Sequence, residues 1–256
     1  RQLMDLPIDG KMRRVVMTIG KLGILDALDA ATGEFLFSMD MGVQNVVKSV
    51  DPMTGDKTLY DYAAVPDPTK EVFIATNNDG ARCWPSLSYN PNTKKLYVPL
   101  SKGGFLVGTE GFKLVSTDVK MQSQPFPYSD GNMGHVQAVD LANQKFNWRH
   151  QQSPPVISSM MATAGGLVFG GDVNRSFMAF DDATGEVLWS TNLDDLPSSN
   201  IISYSAEGKQ YVAVVVGHTN YHVNGWSRTY HAFADSLNMP VNDLPKGGAA
   251  IWVFSL

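Results

Sequence analysis

Two histidines four residues apart, His218 and His222 in "GHTNYHVNGW", have a spacing that could do chemistry. On a strand they would point to one face, yet no carboxylate cluster accompanies them, so they read as incidental rather than as a metal site. Cys83, in "ARCWPSL", is the single cysteine of the 256 residues. Alone it excludes an intramolecular disulfide and a Cys-rich zinc site, and it reads either as a reactive thiol or as a small buried hydrophobe. Asp29, Asp140 and Asp181 have the side chain for acid–base work, but each stands at the same place in a repeated phrase, which makes them turn caps. Lys21, in "GKLG", is by its chemistry alone a solvated cation at a strand end. The sequence has no Gly-x-Gly-x-x-Gly or P-loop pattern, no Gly-x-Ser-x-Gly elbow and no Cys-x-x-Cys-His. Nucleotide binding, serine hydrolysis and covalent haem attachment therefore have no support.

The repeated phrase is "ALDAATGEFLF" (27–37), "AVDLANQKFNW" (138–148) and "AFDDATGEVLW" (179–189). Ala27, Ala138 and Ala179 share its first position and the three aspartates its third. Gly33 and Gly185 share the seventh, where the middle copy has Gln144, and Phe37, Trp148 and Trp189 share the eleventh. Such a phrase predicts a hairpin: Ala leaves room for a flat ring, Asp-x-x-Thr-Gly makes the corner, and the second strand carries an aromatic toward the neighbouring unit. The last two copies are 41 residues apart, the length of one four-stranded unit. The first interval, 111 residues, leaves room for two further units with insertions, one of them including "YNPNTKKLYVPL". Hairpins repeated at this spacing stack as blades around an axis.

The remaining signals agree with an all-β chain. "RRVVMTI" (13–19), "KLYVPL" (95–100), "GGLVFGG" (165–171), "QYVAVVVG" (210–217) and "AAIWVFSL" (249–256) are β-branched or aromatic runs bounded by turn formers. "LGILDALDA" has helical spacing, but the Thr-Gly corner of the repeat follows at once and makes it a strand. Residues 38–80 and 218–248 are long, irregular stretches expected to be loops that close over a site. No linker composition divides the chain, which reads as one domain over 1–256. A net charge of −5 and a pI near 5.5, with no basic stripe, exclude nucleic acid as the main partner. No apolar run is long enough for a transmembrane helix, and the first residues lack the apolar core of a signal peptide.

The phrase Ala-x-Asp-x-x-Thr-Gly-x-x-x-Trp is similar to the tryptophan-docking motif of the quinoprotein dehydrogenases, eight-bladed propellers that bind pyrroloquinoline quinone (PQQ). "DGKMRRVVMTIGKLGILDALDAATGE" resembles the family segment in which a strand, a Lys or Arg and a Gly precede the docking phrase. "CWPSLSYNPNTKKLYVPL" resembles the family's Asn-Trp-Pro-x-x-x-Tyr-x-Pro-x-Thr stretch. "MMATAGGLVFGGDVNRSFMAFDDATGEVLW", "SAEGKQYVAVVVGH" and "IWVFSL" resemble its C-terminal signatures. The resemblance implies a β-propeller of four-stranded antiparallel blades, here the C-terminal part of the ring with about four to five blades. The N-terminal blades, with the calcium or lanthanide ligands, a stacking disulfide and the catalytic aspartate, would lie upstream of Arg1.

The implied activity is a PQQ-dependent dehydrogenase oxidising an alcohol or sugar hydroxyl by hydride transfer to the quinone. Cytochrome c or membrane quinone would accept the electrons, the location would be periplasmic, and the chain alone would be incomplete and inactive. By resemblance Lys21 is the catalytic and cofactor-binding cation, reaching toward the quinone carbonyl oxygens. Cys83 and Trp84 fall on the family's Asn-Trp pair, where the Asn touches the cofactor. A thiol there is a poorer hydrogen-bond donor and can react with an electrophilic quinone, while Trp84 has a more structural character. Ile157 falls where some members place a cofactor-facing Trp and is expected only to line the site. Gly217 and His218 fall where the family brings Gly-rich backbone near the quinone. The alternative is a non-catalytic propeller similar to outer-membrane assembly scaffolds, which lack the Lys-x-Gly and Trp-Pro features.

Overall fold

The structure, a computed structural model, describes residues 1–64, 67, 69–70, 72–76, 79–107, 122–125, 131–217, 221–234, 238–243 and 248–255. Strands β1 (Gln2–Ile8), β2 (Lys11–Ile19), β3 (Ile24–Asp29) and β4 (Phe35–Asp40) form an antiparallel meander in that order. Met4, Leu6 and Ile8 are buried while Leu3, Asp5 and Pro7 between them are exposed. That period of two is the mark of a strand with one covered face. A hairpin, β5 (Val47–Val50) and β6 (Lys57–Leu59), follows, then one turn of helix, α1 (Asp61–Ala64), and β7 (Val72–Ala75).

The next strands are β8 (Ser88–Asn90), β9 (Lys95–Ser101), β10 (Gly103–Val107), β11 (Gln122–Pro125), β12 (Gly134–Asp140) and β13 (Lys145–Gln152). Here β8-β9-β12-β13 is a second four-stranded sheet, and β10 leaves it to pair with β7 and β11. A third sheet is β14 (Met161–Ala162), β15 (Leu167–Gly171), β16 (Ser176–Asp181) and β17 (Val187–Asn192). Last come β18 (Pro197–Ala206) and β19 (Lys209–Val216), a helix α2 (Tyr221–Ala234), and β20 (Ala250–Ser255), which completes a three-stranded sheet β18-β19-β20.

These sheets stack through their faces. Leu96, Val98 and Leu100 of β9 pack toward the first sheet with Val15, Met17 and Leu25. Tyr97, pointing the other way, joins Val168, Met178 and Phe180 of the third sheet. Phe169, Phe177 and Ala179 then meet Val212 and Val214 of the last sheet. The first strand of the third sheet, β14, touches the first strands on either side, β8 and β18. This is blade-on-blade packing of antiparallel meanders, the predicted propeller arrangement.

All three repeated phrases are the outer hairpins of such sheets. In each the Ala lies directly across from the aromatic: Ala27 from Phe37, Ala138 from Trp148, Ala179 from Trp189. Each also has a register shift immediately after that Ala, a bulge that re-aims the strand before the corner. The aspartates cap as expected. Asp29 accepts from the backbone of Ala31 and Thr32, Asp181 from Ala183 and Thr184, and Asp140 from Asn143. A fourth corner of the same kind, Asp51 to Gly55, closes the β5–β6 hairpin, with Asp51 capping Met53 and Thr54.

Two expectations are corrected. "YNPNTKKLYVPL" supplies β8 and β9 to the same sheet as the middle phrase, so the long first interval holds no separate four-stranded unit among the described residues. The stretch 218–248 is not all loop. It contains α2, whose Val223, Trp226, Tyr230 and Ala234 form a buried stripe against Met133, Ile157, Val173 and Leu196.

Candidate functional site

Lys21 sits in the turn between β2 and β3, with its side chain exposed. The turn is pinned from the other side by a bent segment of backbone, 79–82. The carbonyl of Lys21 accepts from the amide of Ala81 at 2.8 Å and from the Thr76 hydroxyl at 2.8 Å. The Ala81 carbonyl in turn accepts from the amide of Ser101 at the end of β9, at 2.8 Å. Arg82 reaches back to the carbonyl of Ile19 at 2.5 Å. Gly80, at φ +73°, lies directly on the lysine stem: a Cβ there would fall 2.5–2.8 Å from Lys21 Cγ, Cβ and Cα. Only glycine permits that approach.

Helix α2 closes over the same segment. The indole N–H of Trp226 donates to the Gly80 carbonyl at 3.2 Å, and His222 Nδ1 donates to the Asp79 carbonyl at 3.0 Å. A carbonyl only accepts, so Nδ1 carries the proton. Burial holds the His222 ring at a pKa of about 4, against the opposing pull of that bond. Gly225 brings the helix backbone onto the Asp79 side chain, because a Cβ at 225 would fall 2.1–2.3 Å from the carboxylate atoms. Burial raises the Asp79 carboxyl to about 6, although the charges of Lys21 and Arg228 favour its ionised form.

Cys83 and Trp84 follow this anchored segment. Cys83 is a free, half-buried thiol. Trp84 is 68% exposed. Gly217 directly follows β19 at φ 144°, a conformation that favours glycine, and its amide donates to the Leu196 carbonyl at 2.8 Å. His218 lies outside the described residues. His222 is on a helix rather than a strand, which removes the same-face argument for a histidine pair. Ile157, expected to line the site, is buried in the core beneath α2. Among the described residues no three His, Cys, Asp or Glu side chains stand close enough to hold a metal ion.

The structure therefore joins Lys21, the 79–82 segment and α2, and places Cys83 and Trp84 on the continuation of that segment. Asp79 and Gly225 were not found by sequence reasoning. "NNDG" looks like a plain turn until the helix that packs on it is known. The group comprises an exposed lysine side chain, an exposed indole and a half-buried thiol.

The family model described as the glucose/ethanol/alcohol dehydrogenase β-propeller domain, PQQ, matches residues 112–212. Lupanine 17-hydroxylase [cytochrome c] of a Pseudomonas species is 32% identical over 84% of this chain and 31% of its own length. The quinoprotein alcohol dehydrogenase PedH of Pseudomonas putida is 26% identical over 96% of this chain and 41% of its own. Among solved structures, the quinohemoprotein alcohol dehydrogenase ADHIIG of Pseudomonas putida superimposes with a TM-score of 0.71 at 26% identity, covering 84% of this chain and 34% of that one. A europium-containing methanol dehydrogenase shares the fold over 99% of this chain and 47% of its own, with a TM-score of 0.81 at 23% identity. The chain spans between 31 and 41% of the length of these curated relatives. Nothing in these comparisons favours the scaffold alternative.

Proposed function

We propose that this chain, which belongs to the family of PQQ-dependent (quinoprotein) alcohol dehydrogenases, supplies the Lys21 wall of a quinone site in an enzyme that oxidises an alcohol or sugar hydroxyl. The observation that carries this is the anchoring of Lys21. The turn is held at the Lys21 carbonyl by Ala81 and Thr76, and Gly80 lies against the lysine stem, so the point and direction at which the side chain leaves the backbone are set.

PQQ, when bound, supplies the two-electron acceptor for the hydride leaving the alcohol carbon. Lys21 offers a charged N–H donor to a quinone oxygen, and because its turn is preorganised the donor needs little reordering when charge develops. Trp84 offers its ring face for stacking. Cys83 offers a weak S–H donor where the family has an amide. Trp226 and His222 hold the 79–80 backbone in place, and α2 shields that side of the segment from water. Gly217 and His218 are assigned to the rim on resemblance alone. A calcium or lanthanide ion would serve as Lewis acid. The electrons pass to a cytochrome c or membrane quinone, in the periplasm.

Reconstituting the full-length protein with PQQ and calcium or a lanthanide, then following dye reduction with primary and secondary alcohols, tests this directly. Alcohol-dependent reduction that requires PQQ supports it. PQQ-loaded protein that reduces no dye with any alcohol or sugar contradicts it.

A further inference from the structure

We propose that Asp79 is a positioning residue of the quinone site, whose carboxylate competes with a bound anionic quinone for the charge of Lys21. The inference rests on the role of Lys21 proposed above. Asp79 is the link between two elements. Its side chain is pressed against Gly225 of α2, its carbonyl is held by His222 at 3.0 Å, and the next residue, Gly80, lies on the Lys21 stem. A carboxylate in that wedge cannot swing away without moving the helix or the lysine turn.

Among the described residues, the charged and titratable groups around it come from three places. Lys21 approaches from the β2–β3 turn. Arg228 and His222 approach from α2, and Arg82 lies on its own segment with its guanidinium bonded to the Ile19 carbonyl. His222, at about 4, is neutral above pH 5. Within pH 5–8 Asp79 changes charge, at about 6. Below that pH the carboxyl is neutral and the whole Lys21 charge is available to a ligand. Above it the carboxylate takes part of that charge. PQQ carries three carboxylates, so the second state binds it less well.

The test is a titration of the full-length protein with PQQ, read by quenching of tryptophan fluorescence, at intervals from pH 5 to 8. The wild type should bind about tenfold more tightly at the acid end, as expected for a ligand that raises a carboxyl pKa by one unit, with the loss of affinity starting near the free carboxyl's value of about 6 and complete roughly one unit above it. Asp79→Asn should bind with the acid-end affinity at every pH. Arg228→Gln, an exposed change on α2, removes a charge that favours the carboxylate and should move the midpoint to higher pH; this arm decides the matter even if Asp79→Asn fails to fold. A merely structural Asp79 would instead lower the affinity of Asp79→Asn equally at all pH values. An inflection that survives in Asp79→Asn, or a midpoint unmoved in Arg228→Gln, overturns the role of Asp79 alone. Absence of PQQ binding by the wild type at any pH overturns the quinone role of Lys21, and this inference with it.

Discussion

Trp148 lays its ring face on Gly185 of the neighbouring sheet and donates its indole N–H to the carbonyl of Asp182 at 2.7 Å. The eleventh position of one phrase thus docks on the fourth and seventh positions of the next, and Tyr97 packs beside the indole at 5.9 Å between centroids. Of the three aromatics at this position only Trp148 makes this seam. Phe37 is buried in the core between the first two sheets, while its neighbour Phe35 lies over Gly55 of the β5–β6 corner. Trp189, 41% exposed, meets Phe177 and Phe254 edge-on.

Gly185→Ala should cost more stability than the equivalent change at Gly33 in the first sheet. Both Gly185 and Gly33 have positive φ, so each Ala costs about 1–2 kcal/mol of left-handed strain. At 185 the new Cβ would also fall 2.4 Å from the Trp148 ring, whereas at 33 nothing lies within 4 Å. Urea unfolding should show Gly185→Ala the less stable of the two by a further ~1–3 kcal/mol. Equal losses would mean that the ring contact contributes nothing.

Asp182 is the polar centre of the same seam. Its carboxylate accepts from Lys95 at 3.0 Å, from Asn90 at 3.2 Å and from the Tyr97 hydroxyl, all largely buried. Burial, with Asp182 next, pushes the Tyr97 hydroxyl far above its usual pKa. Asp182→Ala strands a buried ammonium and a buried hydroxyl and should cost about 3–5 kcal/mol in unfolding free energy. Trp148→Phe removes a different bond, to the backbone carbonyl of residue 182, so the double variant's departure from additivity measures the coupling of the two across the seam.

His135 is fully buried on β12, with neither ring nitrogen hydrogen-bonded to a described residue, and burial together with the charges of Arg149 and Lys102 lowers its pKa to about 2. The ring is neutral when folded and takes a proton near 6.5 when unfolded. The unfolded state therefore binds more protons below 6.5, and stability falls as the pH drops through that value, by about 1.4 kcal/mol per pH unit at full effect. His135→Leu should flatten this acid slope between pH 6.5 and 5 and raise stability, because it removes two unsatisfied polar atoms. A slope unchanged in His135→Leu would contradict the assignment.

Cys83→Asn restores an amide donor where the family has one. If Cys83 faces the quinone, PQQ affinity should rise by roughly 2–10-fold, the worth of one ordinary hydrogen bond. Unchanged affinity would remove Cys83 from the site.

Much of the fold could be read from the sequence because its signals are local. The Asp-x-x-Thr-Gly corners, the Ala–aromatic pairing and strands such as "QYVAVVVG" all formed as predicted, and "LGILDALDA" is strand β3 despite its helical spacing. Helix α2 was not legible, although Val223, Trp226, Tyr230 and Ala234 carry its buried stripe. Asn224, Gly225 and Ser227 lower its propensity, and no acidic residue marks its first turn. Of the site, Lys21, Cys83 and Trp84 came from motif position. Asp79 did not, because its meaning depends on a helix some 140 residues away, as the His222–Asp79 bond spans |i−j| = 143.

The most direct measurement is PQQ binding by the full-length protein with and without Lys21. The wild type should bind PQQ, and Lys21→Met should bind it about 10–100-fold more weakly, the worth of a hydrogen bond from a charged donor, with its unfolding transition unchanged. Lys21→Met that binds PQQ as tightly as the wild type would contradict the account.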